Sequence, residues 1–418
     1  MNGMVKGLGL FCGLMSLQGF AQSMPSLDWD WMVSASHTRP SDSPLFALAV
    51  GQERETVEQI EALLDLESRW NGWTASLALT AFSLYDSSDQ PSDTQFTLSE
   101  LFWQGASDIA GQTLDITVGK IRLDWGVGYG YRPLDLFLPY RRNPLGIQVE
   151  EGAGVLALSS YQGLGEWTLI ATDSGWGRSS DAQLVTHNEQ QGIGLRHYRL
   201  VGDSEIQGIV YYDNVRRGLV GGSWVSVLNT AWGVHTSWLY QREYWQYQRQ
   251  IERPLELIKR SDAAQFLFGL NWANASGHNV IAEYWYDGRS WNEQEWQQAF
   301  NSVDQMREMG QTQAAFSYAQ GYQAANIVAH NIMLHWSWDG AADQPLGIDQ
   351  LTPTLDLLWA VEEGGFILTQ WLNWQAYDSG SASLELELAA RFFGGESSSA
   401  YANMPDSARI LFNLKGKF

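Results

Sequence analysis

Cysteine is nearly absent from this chain, which has one among 418 residues. That residue, Cys12, lies in an N-terminal segment that we expect to be removed, so the mature protein is expected to contain neither thiol nor disulfide. The sequence contains no HExxH motif, no paired cysteines and no histidine cluster, which are the patterns that indicate a catalytic metal. No glycine-rich loop stands before a helix to hold phosphate. We therefore expect no cofactor.

Long apolar runs and basic residues are also scarce. After the N-terminal segment no run of eighteen or more apolar residues occurs, so no transmembrane helix is expected. Lysine and arginine number 25 against 47 aspartates and glutamates, a formal net charge of −22, which argues against nucleic acid as a partner. The acidity fits simple solubility, a surface where divalent cations bridge lipopolysaccharide, or a lumen that favours cations.

The N-terminus predicts export. Residues 1–21 contain a single cation, then an apolar core, then small residues that end at Ala21, which is the pattern of a cleaved secretory signal peptide. Residues 22–59 carry only a weak pattern and are broken by Pro40 and Pro44, so we expect an N-terminal lead-in there.

Aromatic residues are abundant, with 21 Trp, 17 Tyr and 16 Phe. Tryptophan and tyrosine favour the two membrane–water interfaces, where an amphipathic ring sits between acyl chains and water. Aromatic packing or sugar stacking in a soluble protein would give the same composition.

Apolar and polar residues alternate with a period of two from residue 60 onward, and Asn71-Gly72 is a strong hairpin-turn signal. Most of the candidate strands have about ten to twelve residues, the length that a tilted strand needs to cross a membrane. The fold class that follows is all-β: a closed antiparallel transmembrane β-barrel of about 16–18 strands over residues 60–418. Eighteen candidate strands can be placed, at 60–70, 73–85, 94–103, 112–123, 152–161, 165–172, 180–186, 190–200, 204–213, 219–228, 231–242, 263–274, 278–287, 325–338, 352–362, 365–376, 381–392 and 407–418.

The last strand carries a possible address. Residues 408–418 read ARILFNLKGKF, with Phe412, Leu414 and Phe418 on one apolar face. A final strand of this kind, ending on an aromatic residue, resembles the assembly signal of Gram-negative outer-membrane β-barrels, which the insertion machinery reads. The resemblance implies an outer-membrane location, with membrane lipid, lipopolysaccharide and the assembly machinery as partners. The alternative is an edge strand of a soluble all-β protein.

The links between candidate strands alternate in length. If the last strand runs into the periplasm, the long links 243–262, 288–324 and 393–406 fall outside and the very short links fall inside, as in outer-membrane barrels. Two long links, 124–151 and 339–351, then fall on the periplasmic side. The 288–324 link has apolar residues at three- and four-residue spacing, which predicts a helical extracellular loop near 290–310. This helix would be a lid on the barrel rim, a cap over the pore or a partner-binding element.

The most unusual block lies between residues 118 and 154. It resembles a segment of several poorly characterised porin-like outer-membrane families, where Gly-[Arg/Lys]-x-Arg-x-x-Trp-Gly precedes an aromatic residue, Pro-x-Asp-x-Phe and an acidic-Gly pair. Arg132 stands where that pattern usually has asparagine. The resemblance implies a barrel and leaves the substrate unidentified. The matching residues are Gly119, Lys120, Arg122, Trp125, Gly126, Pro133, Asp135, Phe137, Glu151 and Gly152.

We expect the 124–151 segment either to enter the lumen as a constriction or to form a packed periplasmic plug. In the first case the protein is a porin-like channel for small polar solutes, the solute being unidentified. In the second it is a plugged barrel that acts in adhesion, structure or assembly. The candidate constriction residues are Arg122, Arg132, Asp135, Arg141, Arg142, Glu150 and Glu151.

A third hypothesis is a lipid hydrolase on the barrel wall, which would use His235 and Ser237. The two residues share one strand face, and no flanking pattern known from outer-membrane phospholipases accompanies them. We therefore expect no enzymatic activity.

Overall fold

The computed structural model describes residues 24–46, 55–84, 92–109, 111–137, 146–176, 183–250 and 253–418. The expected signal peptide at 1–21, together with Arg141 and Arg142, lies outside the described residues. The strands are β1 Ser26–Pro40, β2 Val57–Trp70, β3 Trp73–Leu84, β4 Ser92–Ile109, β5 Gln112–Ile121, β6 Ala153–Gln162, β7 Gly165–Asp173, β8 Gln191–Val201, β9 Ser204–Asp213, β10 Leu219–Val227, β11 Trp232–Gln250, β12 Arg253–Ala273, β13 His278–Asp287, β14 His330–Trp338, β15 Leu351–Ala360, β16 Phe366–Asp378, β17 Ser383–Gly394 and β18 Asp406–Lys417. The α-helices are α1 Gln183–His187, α2 Glu293–Glu308 and α3 Thr312–Phe316, and 3₁₀ turns occur at Ser317–Gln323 and Pro345–Gly347.

These eighteen strands form one closed antiparallel sheet. Each strand pairs with its neighbours along the chain, and β1 pairs with β18 to close the ring. Closure leaves no sheet edge with unpaired amides, which is the condition for a sheet to cross a membrane. The all-β closed barrel is therefore confirmed, at the upper end of the expected strand number. Among the described residues, no helix has the length and apolar character required to span a membrane.

The strands alternate between an outward apolar face and an inward polar one. On β18, Ile410 and Phe412 are 49% and 48% exposed on the outer face, whereas Leu411 and Asn413 are 1% and 3% exposed on the inner face. Phe418 stacks on Trp29 with ring centroids 4.8 Å apart. The outward face assigned from sequence is confirmed, and its use as an assembly signal stays a prediction.

Aromatic residues mark both ends of the outer surface. Trp70, Trp73 and Trp232 lie beside turns at one end, and Tyr212 and Trp359 lie near the other end; all are between 43% and 53% exposed. Such a pair of aromatic bands is typical of a wall that passes through two membrane–water interfaces.

The links differ in length between the two ends. One end, which we call the short-turn end, carries links such as 71–72, 163–164 and 202–203, with 339–350 as a longer one. The other, the long-loop end, carries links such as 122–152 and 288–329.

Two strand assignments from sequence were wrong and offset each other in the count. The segment 180–186 is not a strand, because its described part belongs to α1. The expected lead-in 22–59 instead contains β1, which pairs with β18 and β2. Removing one strand reverses the direction of every earlier one, so the 124–151 segment lies at the long-loop end and not on the periplasmic side as expected. The link expected at 243–262 is mostly strand, because β11 and β12 extend through it.

Candidate functional site

The segment 122–152 leaves the wall after β5 and crosses the barrel interior; we call it the inward segment. At one point the Ile147 N–H donates to the Glu61 carboxylate of β2 at 3.1 Å. At another, the Tyr129 N–H donates to the Glu283 carboxylate of β13 at 2.6 Å. Because β2 and β13 lie far apart around the ring, the described parts of this segment occupy the lumen.

Charged residues fix both ends of the inward segment to the wall. Glu100 on β4 accepts hydrogen bonds from the backbone N–H and the guanidinium of Arg122, both at 2.8 Å. Lys120 Nζ donates to the Leu98 carbonyl at 2.7 Å and to Glu151 at 2.6 Å. The cations of the family-like motif are therefore held in structural ion pairs at the point where the chain departs from the sheet and returns to it.

Glu283 anchors the middle of the inward segment. Its carboxylate, 2% exposed, accepts the N–H groups of Tyr129 and Gly130, both at 2.6 Å, and lies 2.7 Å from His235 Nε2. A side chain at Gly130 would place its Cβ 2.4 Å from the sulfur of Met333. The close approach of backbone to wall therefore requires glycine at this position.

Two aromatic hydroxyls extend this anchor. The Tyr129 hydroxyl lies 2.8 Å from His335 Nδ1, which in turn lies 2.7 Å from Asp356. The Tyr131 hydroxyl lies 2.7 Å from both Gln265 and Asp287. Burial and the neighbouring Asp287 carboxylate raise the pKa of Tyr131 well above its usual range, so this hydroxyl remains a donor.

An apolar anchor holds the opposite part of the inward segment. Leu134 and Phe137 are 0% and 4% exposed. The Phe137 ring makes edge contacts with Trp125 and Tyr211 at centroid distances of 5.7 and 5.5 Å. Proline at position 133 suits the turn that the Asp135 N–H closes on the Arg132 carbonyl at 3.2 Å. The wall residues in this cluster are Ala153, Val155, Ala157, Ile170, Ile209, Tyr211, Leu219 and Leu239.

Asp135 and Gly126 form a matched pair inside this part of the segment. The Gly126 N–H donates to Asp135 Oδ1 at 2.8 Å, and a Cβ at Gly126 would lie 2.6 Å from that oxygen. Burial, and then repulsion from Asp124, raises the pKa of Asp135 to about 7, against the opposing effects of the Gly126 hydrogen bond and Arg132. Arg132 braces the segment by donating to Asp124 and to the Gly128 carbonyl, at 2.8 and 2.9 Å.

This raised pKa predicts a loss of stability as the pH increases. Since the pKa of Asp135 in the folded protein, about 7, exceeds the ordinary value near 4, the folded state favours the protonated carboxyl. The stabilisation is complete below about pH 4 and is lost as the pH rises towards about 7. Asp135→Asn has no proton to lose and keeps an oxygen for the Gly126 N–H. The variant should therefore gain stability relative to wild type between pH 4 and pH 8, measured as the free energy of unfolding in denaturant.

The exposed carboxylate Asp343 provides the control for this experiment. Asp343→Asn should follow the wild-type pH profile. If Asp135→Asn also followed it, Asp135 would not be protonated in the folded protein near neutral pH.

An acidic cavity of about 320 Å³ lies between the inward segment and the wall formed by β2, β3 and β4. Three carboxylates line it: Glu61, Asp93 and Glu151. Among the residues described in its lining, none is lysine or arginine. Glu150, the neighbouring candidate, is solvent-exposed.

Sequence reasoning did not name Glu61 or Asp93 as candidate residues. The polar face of β2 was visible in the alternation, but Asp93 precedes the candidate strand that began at 94. The contact of both residues with the inward segment depends on the packing of distant parts of the chain.

A second cavity, of about 190 Å³, lies above the inward segment at the long-loop end. Arg132 and Asp135 line it from the inward segment, and residues 321–327 line it from the β13–β14 link. This link contains α2, which begins with a capping box between Asn292 and Glu295. Trp296, Val303 and Met306 of α2 are buried in a cluster with residues from β11 and β12, so the expected helix is confirmed and packs as a lid.

The two residues of the hydrolase hypothesis face the barrel interior. His235 contacts the inward-facing Glu283, and Ser237, on the same strand face, is 0% exposed. A hydrolase of membrane lipid needs its serine and histidine on the lipid-facing wall. The position of this pair therefore contradicts the hypothesis.

A closed antiparallel barrel with a segment folded into its lumen is the architecture of porin-type proteins. In fold, the chain is similar to OccAB1 of Acinetobacter baumannii, with a TM-score of 0.51 and 10% identity, covering 94% of this chain and 96% of that one. It is also similar to OccK7 (OpdD) of Pseudomonas aeruginosa, with a TM-score of 0.52, 9% identity and coverage of 94% and 98%. A BenF-like porin from Pseudomonas fluorescens Pf-5 gives a TM-score of 0.52, 9% identity and coverage of 94% and 99%. No protein-family model and no curated protein matches the chain.

Proposed function

We propose that this protein is a channel in the outer membrane of a Gram-negative bacterium, through which small polar solutes pass. The apolar outer wall with its two aromatic bands supports a membrane location. The fold likeness to solved porins supports the channel class. On this proposal the long-loop end faces outward, lipid and lipopolysaccharide surround the wall, and the C-terminal strand is read by the assembly machinery.

The observation that carries the proposal is the acidic cavity beside the inward segment. The arginines expected to form a constriction are instead engaged, Arg122 with Glu100 and Arg132 with Asp124. Carboxylates therefore dominate the polar groups that remain for a solute between the segment and β2–β4. We infer that the passage favours cations over anions.

The wall below this cavity carries further carboxylates. The register of β1 and β2 places Asp30 opposite Asp65 and Asp28 opposite Glu67, all on the inward face. Like charges directly opposite each other destabilise a sheet. Their presence on a wall that faces the lumen supports a role in attracting cations.

Neutralising the cavity carboxylates should reduce cation preference. We expect Glu61→Gln with Asp93→Asn to lower the K⁺/Cl⁻ permeability ratio severalfold, since a unit charge ~4 Å away contributes ~1 kcal/mol even in water. Glutamine at position 61 retains an oxygen for the Ile147 N–H, so the segment should stay in place. Reversal potentials across a KCl gradient in a planar bilayer measure the ratio.

Asp343→Asn, in the link 339–350, removes one exposed charge away from the cavity and should leave the ratio unchanged. An unaltered ratio in the double variant, with wild-type conductance, would exclude these carboxylates as the selectivity groups.

The plugged barrel is the second candidate, and the two anchors of the inward segment favour it. A folded wild type that carries no current, beside a conducting variant with a loosened segment, would establish this alternative. Silence from both would indicate a binding or assembly role.

A further inference from the structure

Two arginines lie on the outer surface above the aromatic band of β9–β11. Arg217 and Arg242 are exposed at the long-loop end, and the Arg242 N–H donates to the Gly218 carbonyl at 3.0 Å, which brings the two positions together. The Arg217 guanidinium donates to the hydroxyl of Tyr212, 53% exposed on the outer face. Tyr240 is the corresponding outward tyrosine on β11, two residues before Arg242.

Within the described part of the chain, neither of these guanidinium groups forms an ion pair. The nearby carboxylates are engaged elsewhere: Glu243 pairs with Lys259, and Asp262 accepts a hydrogen bond from Tyr240. In a chain with an excess of acidic residues, two exposed arginines side by side form a local positive patch that suits an anion.

A depression in the apolar wall lies below this patch. Gly208 on β9 and Gly222 on β10 are direct cross-strand partners on the outward face. A Cβ at Gly208 would meet nothing within 4 Å. Outward side chains border the two glycines, with Val210 62% and Trp238 46% exposed. The result is a shallow groove in the lipid-facing surface.

The spacing of the two features matches one kind of ligand. Four residues separate Gly208 from Tyr212, which is about 13 Å along a strand. A headgroup phosphate at the arginines would therefore place an acyl chain over the glycines. Tyrosines between them have an apolar ring and a polar tip, as expected at the interface of headgroup and acyl region.

We propose that Arg217 and Arg242, with the groove at Gly208 and Gly222, bind a phosphorylated lipid of the outer leaflet. This inference rests on the proposed membrane placement, with the long-loop end outward. The guanidinium groups would donate to phosphate oxygens, and the groove would receive an acyl chain. The site does not involve the lumen, so it does not depend on channel activity.

Native mass spectrometry of the refolded full chain in detergent would test the site, with diphosphoryl lipid A and dephosphorylated lipid A as probes. The wild type should bind the phosphorylated probe more tightly. Arg217→Gln with Arg242→Gln should weaken that binding by roughly tenfold or more, since each hydrogen bond between charged groups contributes about 1.5–3 kcal/mol. Gly208→Leu should fill the groove without strain and weaken the binding of both probes.

Arg199→Gln is the matched control, because Arg199 is an exposed residue of β8 near the short-turn end. It should bind both probes as the wild type does. Heat-modified migration on a gel establishes that each variant is folded. Wild-type preference for the phosphorylated probe in the double arginine variant would overturn the proposal, as would unchanged binding by Gly208→Leu. A channel that proved closed would leave these binding results intact, so the two proposals can fail separately.

Discussion

Replacing Glu283 with alanine should increase the single-channel conductance and make the current unsteady. The carboxylate accepts the N–H groups of Tyr129 and Gly130 and contacts His235. Alanine leaves these buried donors without a partner, which costs about 1–3 kcal/mol for each. The segment is then expected to leave this side of the wall for part of the time, which widens the passage. Planar-bilayer recording of the refolded variant measures the effect.

Glu283→Gln keeps one acceptor oxygen in nearly the same place and should give a smaller increase than alanine. Glu308→Ala, at an exposed position at the end of α2, should leave the current unchanged. If Glu283→Ala gave the steady wild-type current, the inward segment would not be what narrows the lumen. Current that appears only in the alanine variant would identify the wild type as a plugged barrel.

The barrel itself could be predicted because alternation along a strand is a local property. Its two errors have local causes. In β1, the outward positions after Val33 are Ala35 and His37, so the apolar half of the alternation fades. The segment 180–186 has few residues and contains Leu184, whose side chain is buried beneath the lid, and a run this short does not distinguish strand from helix.

The consequences of those errors were global. Strand direction alternates around a barrel, so one false strand moved the 124–151 segment to the wrong end. The contacts that define the site could not be read from sequence for a different reason. Tyr129 and Glu283 are 154 positions apart, and only the closed ring brings them together. A pattern with period two carries no information about such pairs.

The family-like motif acquires a physical meaning from these contacts. Lys120, Arg122 and Glu151 attach the segment to the sheet, whereas Gly126 and Asp135 fit each other inside it. These residues define the path of the backbone. The groups available to a solute, Glu61 and Asp93, lie on the wall and outside the motif. A motif of this kind can therefore accompany different lumen charges, and so different solutes.

Removing the apolar anchor should have the second large effect. Leu134 is 0% exposed and packs against the wall formed by β6–β11. Leu134→Ala leaves a cavity there, and the expected loss in free energy of unfolding is about 2–5 kcal/mol. Unfolding in denaturant, followed by tryptophan fluorescence, measures the loss.

Leu346→Ala makes the same chemical change at a residue that is 76% exposed, so it should unfold with the wild-type midpoint. The comparison separates burial in the lumen from any general effect of shortening leucine. Equal midpoints for the two variants would mean that the inward segment is not packed on the wall as part of the cooperative fold. A lower midpoint for Leu134→Ala, together with higher conductance for Glu283→Ala, is the result expected of a segment held from two sides.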